Sequence, residues 1–428
     1  MMGARSFTVA GLALALVLAG LGLRSGSVLA LAIPVLVFGL AGVYRLLGQT
    51  PPHVELMRSL SARRVSDGQI VTVTLECRHL GPRAMPLVLR DVLPVGLQLV
   101  EGRVALARLS RPGDVCSLQY QVRAPRGLYR WQRVEVSSRD ALSAAAFERS
   151  MPCASSLWSL PRAEPIRALP IAPRRTRVFS GIVKARRGGD GVEFFSTRPY
   201  AWGDEMRRMH WKASARIGQW ITTQFEQERV ADVAIVLDAR RRSNVDDGAE
   251  SADQHQSLFE FSVRAAASVA QFTLAQGNRV GLLHYGRALE WTYPGHGNRQ
   301  RERMFQALAC ARLGDKSVFE GFEYLPQKLF PARSQLILVS PLVPGDVEAL
   351  RRLRAHGHYL TVISPNPVLF EARLVPQSLV RDTALRLALL ERRSMLHALR
   401  RSWITVVDWD TDKPLSPQLH KALAAVKP

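Results

Sequence analysis

The chain has 428 residues, enough for two or three domains with room for a substantial core. Its 58 basic and 36 acidic residues leave a net charge of +22, a sign that suits nucleic acid or an anionic lipid surface. The excess is almost all arginine and is spread over every segment, which argues against a nucleic-acid site. Cys77, Cys116, Cys153 and Cys310 lack the C-x-x-C spacing of a zinc site.

In chain order, residues 1–50 read as a transmembrane hairpin. The apolar runs Phe7 to Leu23 and Val28 to Leu47 flank Arg24-Ser25-Gly26-Ser27, and each is close to the ~20 residues that cross a bilayer. A signal peptide competes, but Ala19 to Arg24 is a poor cleavage region and a second apolar run follows at once. Arg5 precedes the pair and Arg45, Arg58, Arg63 and Arg64 follow it, against Arg24 alone in the turn. The positive-inside rule then predicts an inner (cytoplasmic) membrane protein that touches lipid through the hairpin, with both ends and the soluble domains in the cytoplasm.

Residues 51–161 change to short alternating runs. Gln69 to Cys77, Met85 to Val92, Gly96 to Val100, Val115 to Val122 and Tyr129 to Val136 are punctuated by Gly81-Pro82, Pro94, Pro112-Gly113-Asp114 and Pro125-Arg126-Gly127. That spacing predicts an all-β sandwich serving as an interaction or spacer domain. Cys77 and Cys116 read as reduced core thiols.

Residues 162–230 hold a linker rich in proline and arginine, with Glu164 the one acid between Arg162 and Arg187. A solvated linker is the simpler reading, and contact with anionic lipid the sharper one. A stretch from Gly189 to Arg216 follows. In it Trp202-Gly203-Asp204 reads as a turn, with Asp204 expected to cap a helix that carries Arg207 and Arg208. Trp220 to Phe225 alternates as a strand.

Residues 231–428 alternate between strands and helices. The predicted strands are Val233 to Asp238, Arg279 to Tyr285, Ala288 to Tyr293, Gln335 to Ser340, Tyr359 to Ser364 and Trp403 to Asp408. The predicted helices are Ser257 to Gln276, Arg299 to Leu313, Val347 to Ala355, Arg381 to Arg400, and a last one from Leu415. This pattern predicts an α/β doubly wound sheet.

Ligands of such a sheet sit at the carboxyl ends of its strands, where Asp238 and Ser340 fall. Mg²⁺ wants a shell of oxygens, yet Asp238 is followed by Ala239 and three arginines and Ser340 by Pro341. An Asp238–arginine contact is therefore expected, with no metal and no cofactor. The chain has no G-x-S-x-G elbow and no G-x-x-x-x-G-K-[ST] phosphate loop. Asp204, Glu205 and His210 are the remaining acid–base candidates.

Gly191, Glu193, Phe194, Arg198, Tyr200, Gly203, Asp204, Arg207, His210, Trp211, Ser214, Ala215 and Arg216 form a pattern. It resembles the signature of the bacterial family called "domain of unknown function fifty-eight". Glu226, Glu228, Arg126-Gly127-Leu128-Tyr129, Asp140-Ala141-Leu142 and Trp403 to Trp409 extend the likeness. The resemblance implies a membrane hairpin, an immunoglobulin-like β-domain and a von Willebrand factor A-like domain. It also implies a partner of the MoxR-type AAA+ ATPase class, acting in protein assembly or remodelling. The chain departs from the A-domain metal pattern Asp-x-Ser-x-Ser, because Arg240 and Arg242 replace both serines and Pro341 stands where a later Asp would follow Ser340.

The expectation is a membrane-anchored, non-enzymatic adaptor. In it the signature stretch acts as a rigid bracket, with Asp204, Arg207, Trp211 and Arg216 fixing one domain against the next. The alternatives are a hydrolase-like enzyme using Asp204, Glu205 or His210, and a basic module on anionic lipid or nucleic acid.

Overall fold

The alternation that begins at Gln69 places Val71, Val73, Leu75 and Cys77 on one face of a strand, all buried. A computed structural model describes residues 53–424 apart from 83, 140–145, 170, 172–182, 230–231, 246–256, 287–288, 315–320, 327–328 and 331–333. The chain divides between Trp158 and Ser159 into two compact units.

The first unit contains β1 (Val54–Leu60), β2 (Arg64–Ser66), β3 (Gln69–His79), β4 (Met85–Asp91), β5 (Gln98–Gly102), β6 (Ala105–Ser110), β7 (Val115–Ala124), β8 (Gly127–Arg139) and most of β9 (Ala146–Leu160). They form a sheet of order β1-β3-β7-β5 and another of order β2-β9-β8-β4-β6. One apolar cluster draws on both sheets, with Val73, Leu75, Tyr120 and Val122 from the first and Leu87, Leu89, Trp131, Val134 and Leu157 from the second.

A buried ionic group crosses that core. Arg58 on β1 donates to both oxygens of Asp91 on β4 at 3.0 and 2.6 Å, and the Tyr120 hydroxyl donates to Asp91 at 2.8 Å. Arg58 also donates to the Cys153 carbonyl. Burial and the Asp91 carboxylate raise the Tyr120 phenol, so it stays a donor. Cys77 and Cys116 face each other across β3 and β7 as free thiols. Burial, with Cys116 alongside, pushes the Cys77 thiol up to about 12. At the β7–β8 turn the Tyr129 hydroxyl donates back to the Pro125 carbonyl at 2.9 Å, the bond of a tyrosine corner.

The anticipated transmembrane hairpin is not supported. Residues 1–50 lie outside the described residues, and among the described residues no helix is long and apolar enough to cross a membrane. The described chain opens instead on β-sheet, from Val54 onward.

The second unit holds a two-stranded ribbon, β10 (Val183–Pro199) with β11 (Ile221–Arg229), and the short helix α1 (Trp211–Ile217) in the connection. It also holds a six-stranded sheet. Its strands are β12 (Asp232–Asp238), β13 (Arg279–Tyr285), β14 (Leu289–Gly295), β15 (Gln335–Val339), β16 (Tyr359–Pro365) and β17 (Thr405–Trp409), in the order β14-β13-β12-β15-β16-β17. All pairings are parallel except β13 with the edge strand β14.

Helices α2 (Leu258–Ala275), α3 (Gly297–Cys310) and α7 (Leu415–Ala424) contribute to one core cluster, and α4 (Asp346–Ala355) and α6 (Leu379–Arg401) to another. The short helix α5 (Pro367–Leu374) follows β16. Alternate residues of β12 divide between the two clusters: Val233, Ile235 and Leu237 in the first, Ala234 and Val236 in the second. A strand apolar on both faces is the mark of a sheet covered on both sides.

The proline- and arginine-rich segment after β9 is no solvated spacer where it is described. Ile166 and Leu169 enter the first of these clusters, the Glu164 amide donates to Ser268 Oγ at 2.8 Å, and the Glu164 carboxylate accepts from the Leu415 amide at 3.1 Å.

Candidate functional site

Two places gather the residues with special demands. The first is a bracket between β10 and β11. Gly191, Glu193 and Phe194 lie in β10, where the register against β11 slips between Gly189 and Phe194 and again before Ser196. Their side chains lie outside the described residues. Arg198 donates to Asp204 Oδ1 at 2.6 Å, and Asp204 Oδ2 accepts from the Ala201 amide at 2.9 Å and from the Thr222 hydroxyl at 3.3 Å. The bond to Arg198, with that from Ala201, holds the Asp204 carboxyl below its usual range. Gly203 at φ +101° gives the turn the left-handed geometry that favours glycine.

Asp204 therefore pins a turn and caps no helix. The cap of α1 is His210, whose Nδ1 accepts from the Ala213 amide at 3.1 Å. Gly218 closes the helix at φ +73°, with its amide donating to the Ser214 carbonyl at 2.9 Å. Ser214 is the joint to β11: its hydroxyl accepts from the Ile221 amide at 2.9 Å and donates to the His210 carbonyl at 3.1 Å. The His210 amide donates to the Ile221 carbonyl at 2.8 Å, and Tyr200 bonds the Trp220 carbonyl and meets that ring edge-on.

The frame is thus made by Arg198, Asp204, His210, Ser214 and Thr222. Arg207, Trp211, Ala215 and Arg216, three of which were expected to fix the bracket, are exposed. Of the acid–base candidates, Asp204 and His210 serve the frame, and Glu205 lies 3.5 Å from Arg208 on the same turn.

The second place is the crest of the six-stranded sheet. Arg240 lies between two carboxylates and joins them. Its Nε and Nη2 donate to the two oxygens of Asp238, both at 2.9 Å, and its Nη1 and Nη2 donate to Asp346 at 2.9 and 2.8 Å. Ser340 Oγ donates to Asp238 at 2.6 Å and accepts from the Leu342 amide at 3.0 Å. Asp238, Arg240, Ser340 and Asp346 are all buried. The Phe322 ring closes over the guanidinium at 3.9 Å.

Burial would lower the Arg240 pKa, but Asp238 and Asp346 outweigh it and raise the value, so the cation is permanent. Two carboxylates share this one cation, and burial pushes the Asp346 carboxyl up. Leu342 adopts φ +64°, an uncommon backbone for a residue other than glycine.

A second arginine extends the crest. Arg392 from α6 donates to Asp408 at 2.8 Å, to Ser364 Oγ at 2.9 Å and to the Pro341 carbonyl at 3.0 Å.

These residues do not fit a divalent cation, because a guanidinium already occupies the space between the carboxylates. Among the described residues no group of three His, Cys, Asp or Glu side chains is arranged to hold a metal. Asp238, Arg240 and Ser340 come together, whereas Arg242 is exposed on the turn beyond. Asp346 went unnoticed in the sequence. Its one signal was an acid in the first turn of the helix after Ser340.

Fold and site define a class: a two-sheet β-unit followed in sequence by a largely parallel α/β unit, with a guanidinium-bridged crest and a β-ribbon bracket. Residues 196–366 match the model of the family described as "Protein of unknown function DUF58". It is 28% identical over 257 residues to "Uncharacterized protein YeaD" of Bacillus subtilis (strain 168), covering 56% of this chain and 58% of that protein. The chain thus spans less than two thirds of the length of that relative.

Among solved structures, a FixG-related protein from Vibrio parahaemolyticus is 12% identical, at a TM-score of 0.18 over 26% of this chain and 98% of its own. The cupredoxin domain of AmoB from Nitrosocaldus yellowstonii is 11% identical, at 0.19 over 26% and 88%. Such scores are too low to bear on the fold.

Proposed function

We propose that the chain is a non-enzymatic adaptor whose bracket docks a partner protein. One observation carries the reading. Trp202 is 100% exposed, and Met206, Trp211, Ile217 and Trp220 are exposed with it, on a frame whose backbone is tied by side-chain hydrogen bonds. Large apolar side chains held outward by a fixed frame, with Arg207, Lys212 and Arg216 also exposed, have the composition of an interface core and its charged rim. The employment of Asp204 and His210 in the frame supports a binding role over an acid–base one.

The MoxR-type AAA+ ATPase suggested by the family resemblance is the first partner to test. Purified ATPase titrated onto the full chain, with and without ATP, should bind. Trp202→Ala and Trp211→Ala should each weaken binding by roughly tenfold or more with the melting temperature unchanged. No binding in either nucleotide state, or undiminished binding when Trp202→Ala and Trp211→Ala are combined, would remove the reading.

A further inference from the structure

Helix α6 is apolar on two opposite sides. Its inner side sends Arg392, Leu396 and Leu399 into the domain, with Met395 packed against the same cluster. Its outer side carries Val380, Leu387 and Leu390, exposed by 81%, 60% and 60%, with Thr383 between them. Spacing by three, four and seven puts these four on one stripe. Leu379, at 87%, and Leu374 and Val375 at the end of α5 are exposed as well.

The flanks of the stripe are unequal. In heptad terms Val380 and Leu387 take the a positions, and Thr383 and Leu390 the d positions. Arg386 and Arg393 then lie along one edge (g), and Ala384 and Glu391 along the other (e), all of them exposed.

This arrangement says which occupant fits. In an antiparallel pair of identical helices each edge meets the same edge of its mate, so the arginines would face arginines. In a parallel pair a g residue meets the e residue five positions on. Arg386 then meets Glu391 of the second copy, twice by symmetry, Arg393 meets Ala398, and Leu379 meets Ala384. No like charges are opposed.

We infer that the outer face of α6 is a self-association surface, on which two copies pair in parallel about a two-fold axis. The contact centres on Leu387 and Leu390 and takes its register from Arg386 and Glu391. Beyond Leu390 the stripe turns polar, with Ser394 and His397, so the contact is short. A few side chains per copy fall below a standard interface, and the dimer is correspondingly weak and concentration-dependent. The inference is independent of what docks on the bracket.

Sedimentation equilibrium of the purified full chain across a concentration series tests it. A monomer–dimer equilibrium is expected, and Leu387→Glu with Leu390→Glu should abolish it. Both residues are exposed, so an unchanged circular dichroism spectrum and melting temperature will verify that this variant folds. Arg386→Glu and Glu391→Arg should each weaken the dimer by roughly threefold to thirtyfold, because two symmetric pairs are lost, and the double swap should restore it. In a Cys310→Ser background, Leu387→Cys should cross-link copy to copy on oxidation.

A monomer at every concentration overturns the inference. So does a dimer that survives the two glutamates, a double swap that fails to rescue, or a face that binds a different protein while the chain stays monomeric.

Discussion

The crest and the bracket are each built around an aspartate held by an arginine, and they use that pair in opposite ways. At the crest Asp238 and Arg240 are sealed in, with Asp346, Ser340 and the Phe322 ring completing the enclosure. At the bracket Asp204 and Arg198 are partly open to solvent and order a turn on which Trp202 is fully exposed. A buried ion pair is a poor source of net stability but is very costly to break from one side. A partly exposed pair contributes little by itself and serves to choose a backbone conformation. The space between the crest carboxylates is therefore filled by the protein's own cation, whereas the bracket keeps large apolar side chains exposed to solvent.

Removing the crest cation is the strongest test of this contrast. Arg240→Ala leaves two buried carboxylates facing each other with no counter-charge. Loss of one partner from a buried pair costs about 3–5 kcal/mol, read as a lower denaturation midpoint for the second unit. Arg240→Lys should not rescue it, because a point charge cannot make two bidentate contacts at once. If Arg240→Ala lost less than about 1 kcal/mol, the crest would be no more demanding than a surface pair, and the comparison would fail.

Ser340→Ala is a smaller cut into the same network. It removes a donor to Asp238 and the acceptor of the Leu342 amide, leaving that amide without its bond in a left-handed turn. A loss of about 1–3 kcal/mol is expected. A double-mutant cycle with Arg240→Ala should give a non-additive result, since both residues contact Asp238. Strict additivity would show that Ser340 and Arg240 act separately.

The two sites differed also in how far they were legible beforehand. Val233 to Asp238 reads as a buried parallel strand because its apolar run is continuous, and an arginine contact with Asp238 follows from the three arginines beyond it. Asp346 lies 106 residues from Arg240, and no local pattern records a partner at that distance. The bracket was visible as a cluster of turn residues and tryptophans, but its wiring was not. Asp204 looks like a helix cap because asparagine, aspartate and serine are the usual caps, yet here a histidine nitrogen does that work six residues later. β9 was missed because Ala146-Phe-Glu-Arg-Ser-Met-Pro-Cys lacks clean alternation. β10 was missed because the glycines and aspartate of Gly188-Gly189-Asp190-Gly191 are poor strand formers.

The smallest expected effect has the most telling sign, because acid should act on the two sites in opposite directions. The Asp204 carboxyl is held down by Arg198 and the Ala201 amide. The stability it gives the bracket is present above the unfolded value of about 4 and is lost as pH falls through the lower folded value. The Asp346 carboxyl is pushed up by burial. Its contribution is present in acid and is lost as pH rises through the raised value. Hydrogen exchange separates the two, if each amide is referred to its intrinsic rate at the same pH. The amides of Ala201 and Ile221, which bond Asp204 and Ser214, should lose protection below pH ~4. The Val343 amide, which bonds Asp346 at 3.0 Å, should not follow them. Asp204→Asn fixes the bracket carboxyl in an uncharged form and should flatten the acid response of the first group while leaving Val343 as it was. Loss of protection at Val343 in step with Ala201 would mean that the two sites open together, and the division between a sealed crest and a solvent-facing bracket would have to be given up.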